Sequence, residues 1–160
     1  MKFSLVDRIV DFETGTRLIA IKNLSLAEEY LADHFPGFPV MPGVLMLEAM
    51  TQAGAWLIRL SEDFQHSIVT LRESKNVKYT NFVEPGQTLM LTCEVLDHGP
   101  RETRLKANGV VNGEQVVSAR IVLERYNLAD CDPAQAVIDE AIRQRLREQL
   151  AVLYKPPVPA

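Results

Sequence analysis

Between Gly43 and Leu60 the apolar residues, from Val44, Leu45, Met46 and Leu47 through Ala53 to Trp56, Leu57 and Ile58, fall on every face of a helix rather than along one stripe. Such a helix has to be enclosed on all sides. A lipid bilayer would enclose it, but the run closes within Gly43–Ile58 and contains Glu48, Gln52 and Gly54, short of the roughly 20 apolar residues a span requires. The enclosure must therefore be protein.

Strand signals on both sides of the helix supply it. Arg8 to Glu13 and Thr16 to Asn23 read as two strands around Thr14-Gly15. Ile68 to Asn81 reads as a further strand, and the turn Glu84-Pro85-Gly86-Gln87 introduces the alternation of Leu89, Leu91, Cys93 and Val95. Leu105, Ala107, Gly109 and Val111 alternate up to Asn112-Gly113, a strong short hairpin signal, and Val117, Ala119, Ile121 and Leu123 alternate after it. Packing these strands around one apolar helix gives an α+β fold, an antiparallel sheet wrapped around a long buried central helix. Ser25-Leu26-Ala27-Glu28 has the spacing of a capping box opening a short helix towards Ala32. Asp132-Pro133 reads as the start of a terminal amphipathic helix with a stripe of Val137, Ile138, Ala141, Ile142, Leu146, Leu150 and Leu153. Its polar face holds Arg143, Arg145, Arg147 and Glu148 as a solvated surface, and Lys155 to Ala160 reads as a frayed tail. Residues 1–130 thus form the main domain, with 131–160 a C-terminal helical extension and tail.

The 160 residues suit a single domain, and 47% hydrophobic with 24% charged residues is ordinary globular composition. A net charge of −4 argues against nucleic acid as a partner. Charges among Met1 to Arg8 occupy the place of a leader's apolar region, and no other run is long enough to span a membrane, which points to the cytoplasm. Cys93 and Cys131 have neither disulfide-framework nor zinc spacing with His34, His66 or His98. Cys93 reads as a small core residue.

Glu48 is the single charge from Phe35 to Ile58. A carboxylate among apolar residues is costly without a partner or a task, and desolvation favours its protonated form. His34 precedes it across a loop stiffened by Pro36, Pro39 and Pro42, the last suited to a first helical position. A histidine base and a carboxylic acid together suit an elimination. Gly43 opens the helix, where free backbone N–H groups and the dipole can hold a developing enolate oxygen. Gln52, one turn beyond Glu48, can orient its carboxyl. The blander reading makes His34 a packing residue, Thr51 and Gln52 interface residues, and Met46, Met50 and Trp56 core.

His34-Phe-Pro-Gly-Phe-Pro-Val-Met-Pro-Gly-Val-Leu and Glu48-Ala-Met-Thr-Gln-Ala resemble the signature of the hot-dog-fold beta-hydroxyacyl-acyl-carrier-protein dehydratases of type II fatty acid synthesis. The likeness runs from about Phe3 to Glu124, with Leu5-Val6-Asp7-Arg8 and Val83-Glu84-Pro85-Gly86 included. It implies reversible loss of water from a (3R)-3-hydroxyacyl thioester to give the trans-2-enoyl thioester, with no metal and no organic cofactor. His34 and Glu48, fourteen positions apart, match the catalytic pair, Gly43 the oxyanion amide, and Val40 the carbonyl that holds the histidine ring. The resemblance further implies a homodimer, sometimes a trimer of dimers, with the pair drawn from opposite subunits. It also implies an apolar acyl tunnel, for which Phe38, Met46, Met50 and Phe82 are the candidates. Glutamate at position 48 leans towards the dehydratase branch over the dehydratase-isomerase. The arginines that relatives carry near Thr80 and Asn81, their proline at Phe82 and their aspartate at Gln87 are missing here. The substrate's carrier is then an acyl carrier protein, met through Arg72, Lys75 and Lys78, or coenzyme A. A hot-dog thioesterase and a noncatalytic acyl-binding paralogue are the alternatives.

Overall fold

The computed structural model describes residues 3–156. Six antiparallel strands, β1 (Arg8–Glu13), β2 (Arg17–Asn23), β3 (Ile68–Tyr79), β4 (Thr88–His98), β5 (Glu102–Val111) and β6 (Glu114–Tyr126), form one sheet in the order β1-β2-β4-β5-β6-β3. Helix α1 (Gly43–Ser61) lies across its inner face, touching β2, β3, β4, β5 and β6, and helix α2 (Ala136–Leu153) follows the sheet. This is the α+β hot-dog architecture read from the sequence. Alternation holds on β5 and β6: Leu105, Ala107, Gly109, Val111, Val117, Ala119, Ile121 and Leu123 are all buried against α1. Asn112 and Gly113 take positive φ at 51° and 84°, as a tight hairpin turn between twisted strands requires.

Close approach of α1 to the sheet depends on Gly54. A Cβ there would stand 2.7 Å from Leu105 Cδ1 and 3.1 Å from Leu123 Cδ1, so only glycine lets the helix settle at this depth. Burial along α1 is uneven. From Ala53 to Ile58 it is enclosed on every side, but in the first two turns Val44 is 70% exposed and Leu45, Leu47 and Glu48 are half-buried. The expectation of a helix buried all round therefore fails for its N-terminal half within one chain, because the sheet covers one face there and the described residues leave the other largely uncovered.

Four other expectations are corrected. The Ser25–Glu28 capping box does not form. Ser25 Oγ accepts from Ala27 N at 3.1 Å, and the Glu28 carboxylate is drawn instead to Lys22 Nζ at 2.5 Å, leaving a single 3-10 turn over Glu29–Leu31. Lys22 is itself 5% exposed, and a buried ammonium outcompetes a cap for the nearest carboxylate. Asp132 does accept from Ala134 N, yet what it opens is a 3-10 turn at Pro133–Gln135, and α2 begins only at Ala136. On α2 the expected apolar stripe is split: Val137 and Ile138 are 78% and 50% exposed, whereas Leu153 is buried and Leu146 and Leu150 pack on the core. At the N-terminal end the buried residue is Asp139, 1% exposed, whose carboxylate accepts from Ser67 Oγ and from Leu128 N and Ala129 N. Burial alone pushes that carboxyl up, but the Ser67 hydroxyl, the two N–H groups and nearby Arg143 together hold it below the ordinary aspartate value. A buried aspartate fastens α2 where an apolar contact was expected. Nor is the polar face simply solvated, since Arg143 Nη1 donates to Asn127 Oδ1 and Arg147 lies over the Phe64 ring. The tail expected from Lys155 falls outside the described residues beyond Pro156.

Cys93 is fully buried on the inner face. Its thiol donates to Met50 O at 3.4 Å, and burial pushes its pKa up to about 12, so it is a packing residue with no thiolate at neutral pH.

Candidate active site

His34 stands at the head of a proline-rich loop. Phe38 N donates to Phe35 O at 2.9 Å, and Met41 N donates to Val83 O at 2.9 Å, tying the far end of the loop to the segment before β4. Val40 and Met41, at 0% and 1% exposure, anchor it in the core. Within this frame the His34 Nδ1 lies 3.1 Å from Val40 O. A carbonyl only accepts, so Nδ1 carries the proton and Nε2 keeps a free lone pair. The Phe35 ring lies 4.4 Å from the imidazole, centroid to centroid.

Helix α1 begins immediately after the loop. Pro42 is its N-cap, one position earlier than the sequence suggested, and its carbonyl accepts from Leu45 N and Met46 N. The N–H groups of Gly43 and Val44 have no acceptor among the described residues, so the positive end of the helix is open. His34, Val40, Met41, Gly43, Met46, Tyr79, Thr80, Asn81 and Phe82 enclose one cavity of about 370 Å³. It brings a histidine base, a helix N-terminus and an apolar wall together.

Two tunnel candidates, Met46 and Phe82, line this cavity. Phe38 stands behind Phe82, edge to face at 5.5 Å. Met50 is sealed at 0% exposure on the sheet side of α1 and does not reach the cavity. Tyr79, Thr80 and Asn81 were missed by the sequence reading. Tyr79 ends β3 among charged neighbours and Thr80 and Asn81 follow it, so no hydrophobic pattern marked them as cavity residues; the clues were adjacency to Phe82 and, for Thr80 and Asn81, the arginines that relatives carry nearby.

Glu48 does not line the His34 cavity. It faces the flank of α1 that the sheet leaves bare, where Gln52 Nε2 donates to Glu48 Oε1 at 3.0 Å. Gln52 is fixed in turn by the N-terminal segment: its Oε1 accepts from Leu5 N at 2.8 Å, and its Nε2 also reaches Phe3 O at 3.3 Å. The amide orients the carboxyl.

Of the three cations read as docking residues, Arg72 is spent on Glu102 at 2.7 Å with Glu124 at 3.8 Å, and Lys75 reaches Glu73 at 3.1 Å. Lys78 has no ion pair among the described residues and lines an outer-face groove with Lys106 and Arg120. Among the described residues no group of acidic, histidine or cysteine side chains could hold a metal ion, and no helix is long and apolar enough to cross a membrane.

A sheet wrapped on one helix, with a histidine at the helix's open N-terminus, is the frame of a hot-dog protein handling an acyl group. The family described as the FabA-like domain matches residues 1–120, and the chain belongs to it. It is 39% identical over 128 residues to the 3-hydroxyacyl-[acyl-carrier-protein] dehydratase FabZ of Lawsonia intracellularis, covering 78% of this chain and 84% of the relative. It is 38% identical over 120 residues to FabZ of Geobacillus thermodenitrificans, covering 75% and 83%. Among solved structures, the dehydratase heterocomplex ApeI:P from Xenorhabdus doucetiae superposes with a TM-score of 0.66 at 14% identity, covering 82% of this chain and 89% of that one. The Escherichia coli PaaI protein superposes with a TM-score of 0.58, also at 14% identity, covering 73% and 77%. At such identities the superpositions speak for the fold alone.

Proposed function

We propose that this chain catalyses the reversible dehydration of (3R)-3-hydroxyacyl thioesters to trans-2-enoyl thioesters, on an acyl carrier protein, in fatty acid or related lipid or polyketide synthesis in the cytoplasm. The observation that carries the reading is the cavity that His34, its Nδ1 turned to Val40 O, shares with Gly43 at the open N-terminus of α1. His34 Nε2 takes the C2 proton, and the electron pair moves onto the thioester oxygen, held by Gly43 N–H. Collapse of the enolate forms the C2=C3 bond and breaks C3–O, and Glu48 gives the departing hydroxyl its proton, releasing water.

Because Glu48 is absent from its own chain's cavity and sits on the uncovered flank of α1, the acid comes from a second copy. β3 suits such an assembly: it is the sheet's edge and is exposed from Thr70 to Asn76. A long free edge is a ready pairing surface, and an isologous contact there yields two sites per dimer. The thioesterase alternative needs no histidine base, and a noncatalytic acyl binder needs no open helix terminus beside one. Incubation with a (3R)-3-hydroxyacyl pantetheine thioester gives enoyl product without free thiol; release of thiol without enoyl product contradicts the assignment.

The carrier meets the protein through the groove on the outer sheet face. Lys75, Arg120 and Lys106 stand in one row across β3, β6 and β5, each opposite the next. Glu94 stands opposite Lys106 on its other side and Glu73 takes Lys75, so Arg120 is the cation of the row flanked by like charges on both sides, an arrangement that weakens a sheet. With Lys78, Asn76, Asn108, Gln115 and Ser118, Arg120 and Lys106 line about 520 Å³, and no carboxylate lines it. β3 runs from this groove directly to Tyr79, Thr80 and Asn81 in the catalytic cavity. Reversing Lys106 and Arg120 to glutamate raises KM for a carrier-linked substrate and flattens its salt dependence, and leaves turnover of a short pantetheine thioester unchanged. Reversing Arg72, already committed to Glu102, does much less. An equal response of both substrates removes this face from the account.

A further inference from the structure

The Tyr79 ring lies against the first residue of α1. A Cβ on Gly43 would stand 3.0 Å from Tyr79 Cε1 and 3.2 Å from both Cδ1 and Cζ, so the ring edge packs directly against the helix start and would have to give by a few tenths of an ångström for any side chain there. The ring is itself held from behind. Tyr79 is the last residue of β3, paired with Val117, and the next residue is doubly fixed, Thr80 N donating to Val116 O at 2.9 Å and Thr80 Oγ1 to Gln115 O at 2.6 Å. The strand end cannot swing away without breaking these bonds.

The hydroxyl is free. It forms no hydrogen bond with any described residue, whereas the other hydroxyl lining the cavity, on Thr80, is already committed. One bond beyond Cζ, the phenol oxygen sits at the mouth of a helix whose first N–H groups are also without acceptors. We propose that the Tyr79 hydroxyl is a catalytic residue of the dehydration, the second donor, beside Gly43 N–H, to the thioester oxygen as it gains charge. This rests on the dehydratase reading of the same cavity.

A pair of donors aimed at one developing oxyanion is the common arrangement for such chemistry, because each donor strengthens as the charge grows. Of the lining residues, Met41, Met46, Thr80 and Phe82 already spend their N–H groups on Val83 O, Pro42 O, Val116 O and Asn81 Oδ1, whereas Gly43 N–H has no acceptor among the described residues. A phenol also keeps its proton throughout: desolvation raises the Tyr79 pKa above its ordinary value of 10.0, so at neutral pH the group donates and does not compete as a base with His34. No proton transfer is required of it. The oxygen's charge rises as the C2–H bond breaks and falls as the C3–O bond breaks, and the hydrogen bond strengthens and relaxes with it.

Tyr79→Phe separates hydroxyl from ring, because the phenyl group still packs on Gly43. With a short (3R)-3-hydroxyacyl pantetheine thioester, this variant lowers kcat by about 10²-fold, the lower end for loss of one oxyanion donor, with KM little changed and the thermal midpoint within error of the parent. The same variant slows exchange of the C2 proton of a saturated acyl pantetheine thioester into deuterated water by a similar factor. That step enolises the thioester but expels no hydroxyl. Glu48→Gln, which removes the acid and not the oxyanion contacts, loses dehydration while retaining exchange. If Tyr79→Phe keeps full kcat and full exchange while the parent dehydrates, the hydroxyl has no part in the reaction and Tyr79 only packs. If kcat falls without loss of exchange, the hydroxyl acts on the leaving group and the oxyanion assignment is overturned. If the parent itself forms no enoyl product, the dehydratase reading fails before Tyr79 is tested.

Discussion

Replacing His34 by alanine, or Glu48 by glutamine, lowers dehydration by about 10²–10⁴-fold in each case, the range for loss of one positioned acid or base. In the proposed reaction the two changes act on different bonds, C2–H and C3–O, so neither residue rescues the loss of the other. Both variants stay folded. His34 contributes a loop contact to Val40 O and a ring contact to Phe35, and Glu48 is half-buried on the bare flank of α1, so little apolar packing goes with either. Purified variants with unchanged thermal midpoints and lost turnover satisfy the expectation. Turnover near that of the parent in either one removes that residue from the chemistry.

Replacing Arg125 by methionine destabilises the protein by about 3–5 kcal/mol, the cost of stranding a buried charge, and lowers Tm by roughly 10 °C. Arg125 is 4% exposed at the C-terminal end of α1. Its Nη1 donates to Thr103 Oγ1 at 2.8 Å, its Nη2 meets Gly99 O and the His98 ring, and its Nε lies against the Glu62 carboxylate without an aligned hydrogen bond. Glu62 also meets His66 Nδ1 at 2.9 Å. Without the guanidinium, the Glu62 carboxyl is left at 11% side-chain exposure with only histidine partners. Removing both charges, Arg125→Met with Glu62→Gln, costs less than the arginine change alone, because no ion is then left uncompensated. A single variant as stable as the parent contradicts the expectation. The network joins the end of α1 to β4, β5 and β6, whereas the active-site cavity opens at its start, so activity per folded molecule is unaffected.

The central helix was legible because no other element can be apolar all round at that length, and the strands because Leu105 to Val111 and Val117 to Leu123 alternate without a break. The His34 loop and Glu48 stood out for the opposite reason, one ionisable group each in apolar surroundings. What escaped the sequence were residues whose role depends on neighbours far along the chain. Lys22 captured Glu28 from its helix, Asp139 found Ser67 and two loop amides, and Lys106 and Arg120 came beside Lys75 only through the strand register. Tyr79 shared their difficulty. A tyrosine at the end of a polar strand looks like surface, and its contact with Gly43 exists only once β3 lies along β6.

Whether two chains complete each proposed site is tested most directly by mixing two inactive variants. In a heterodimer of His34→Ala and Glu48→Gln chains, one site receives both substitutions and the other receives neither. With random pairing, half of the dimers are mixed and half of their sites are intact, so refolding the two together restores about a quarter of parental dehydration. Each variant refolded alone restores none. If His34 and Glu48 act within one chain, every site in the mixture lacks one of them, and no activity returned in demonstrated heterodimers would contradict the shared site.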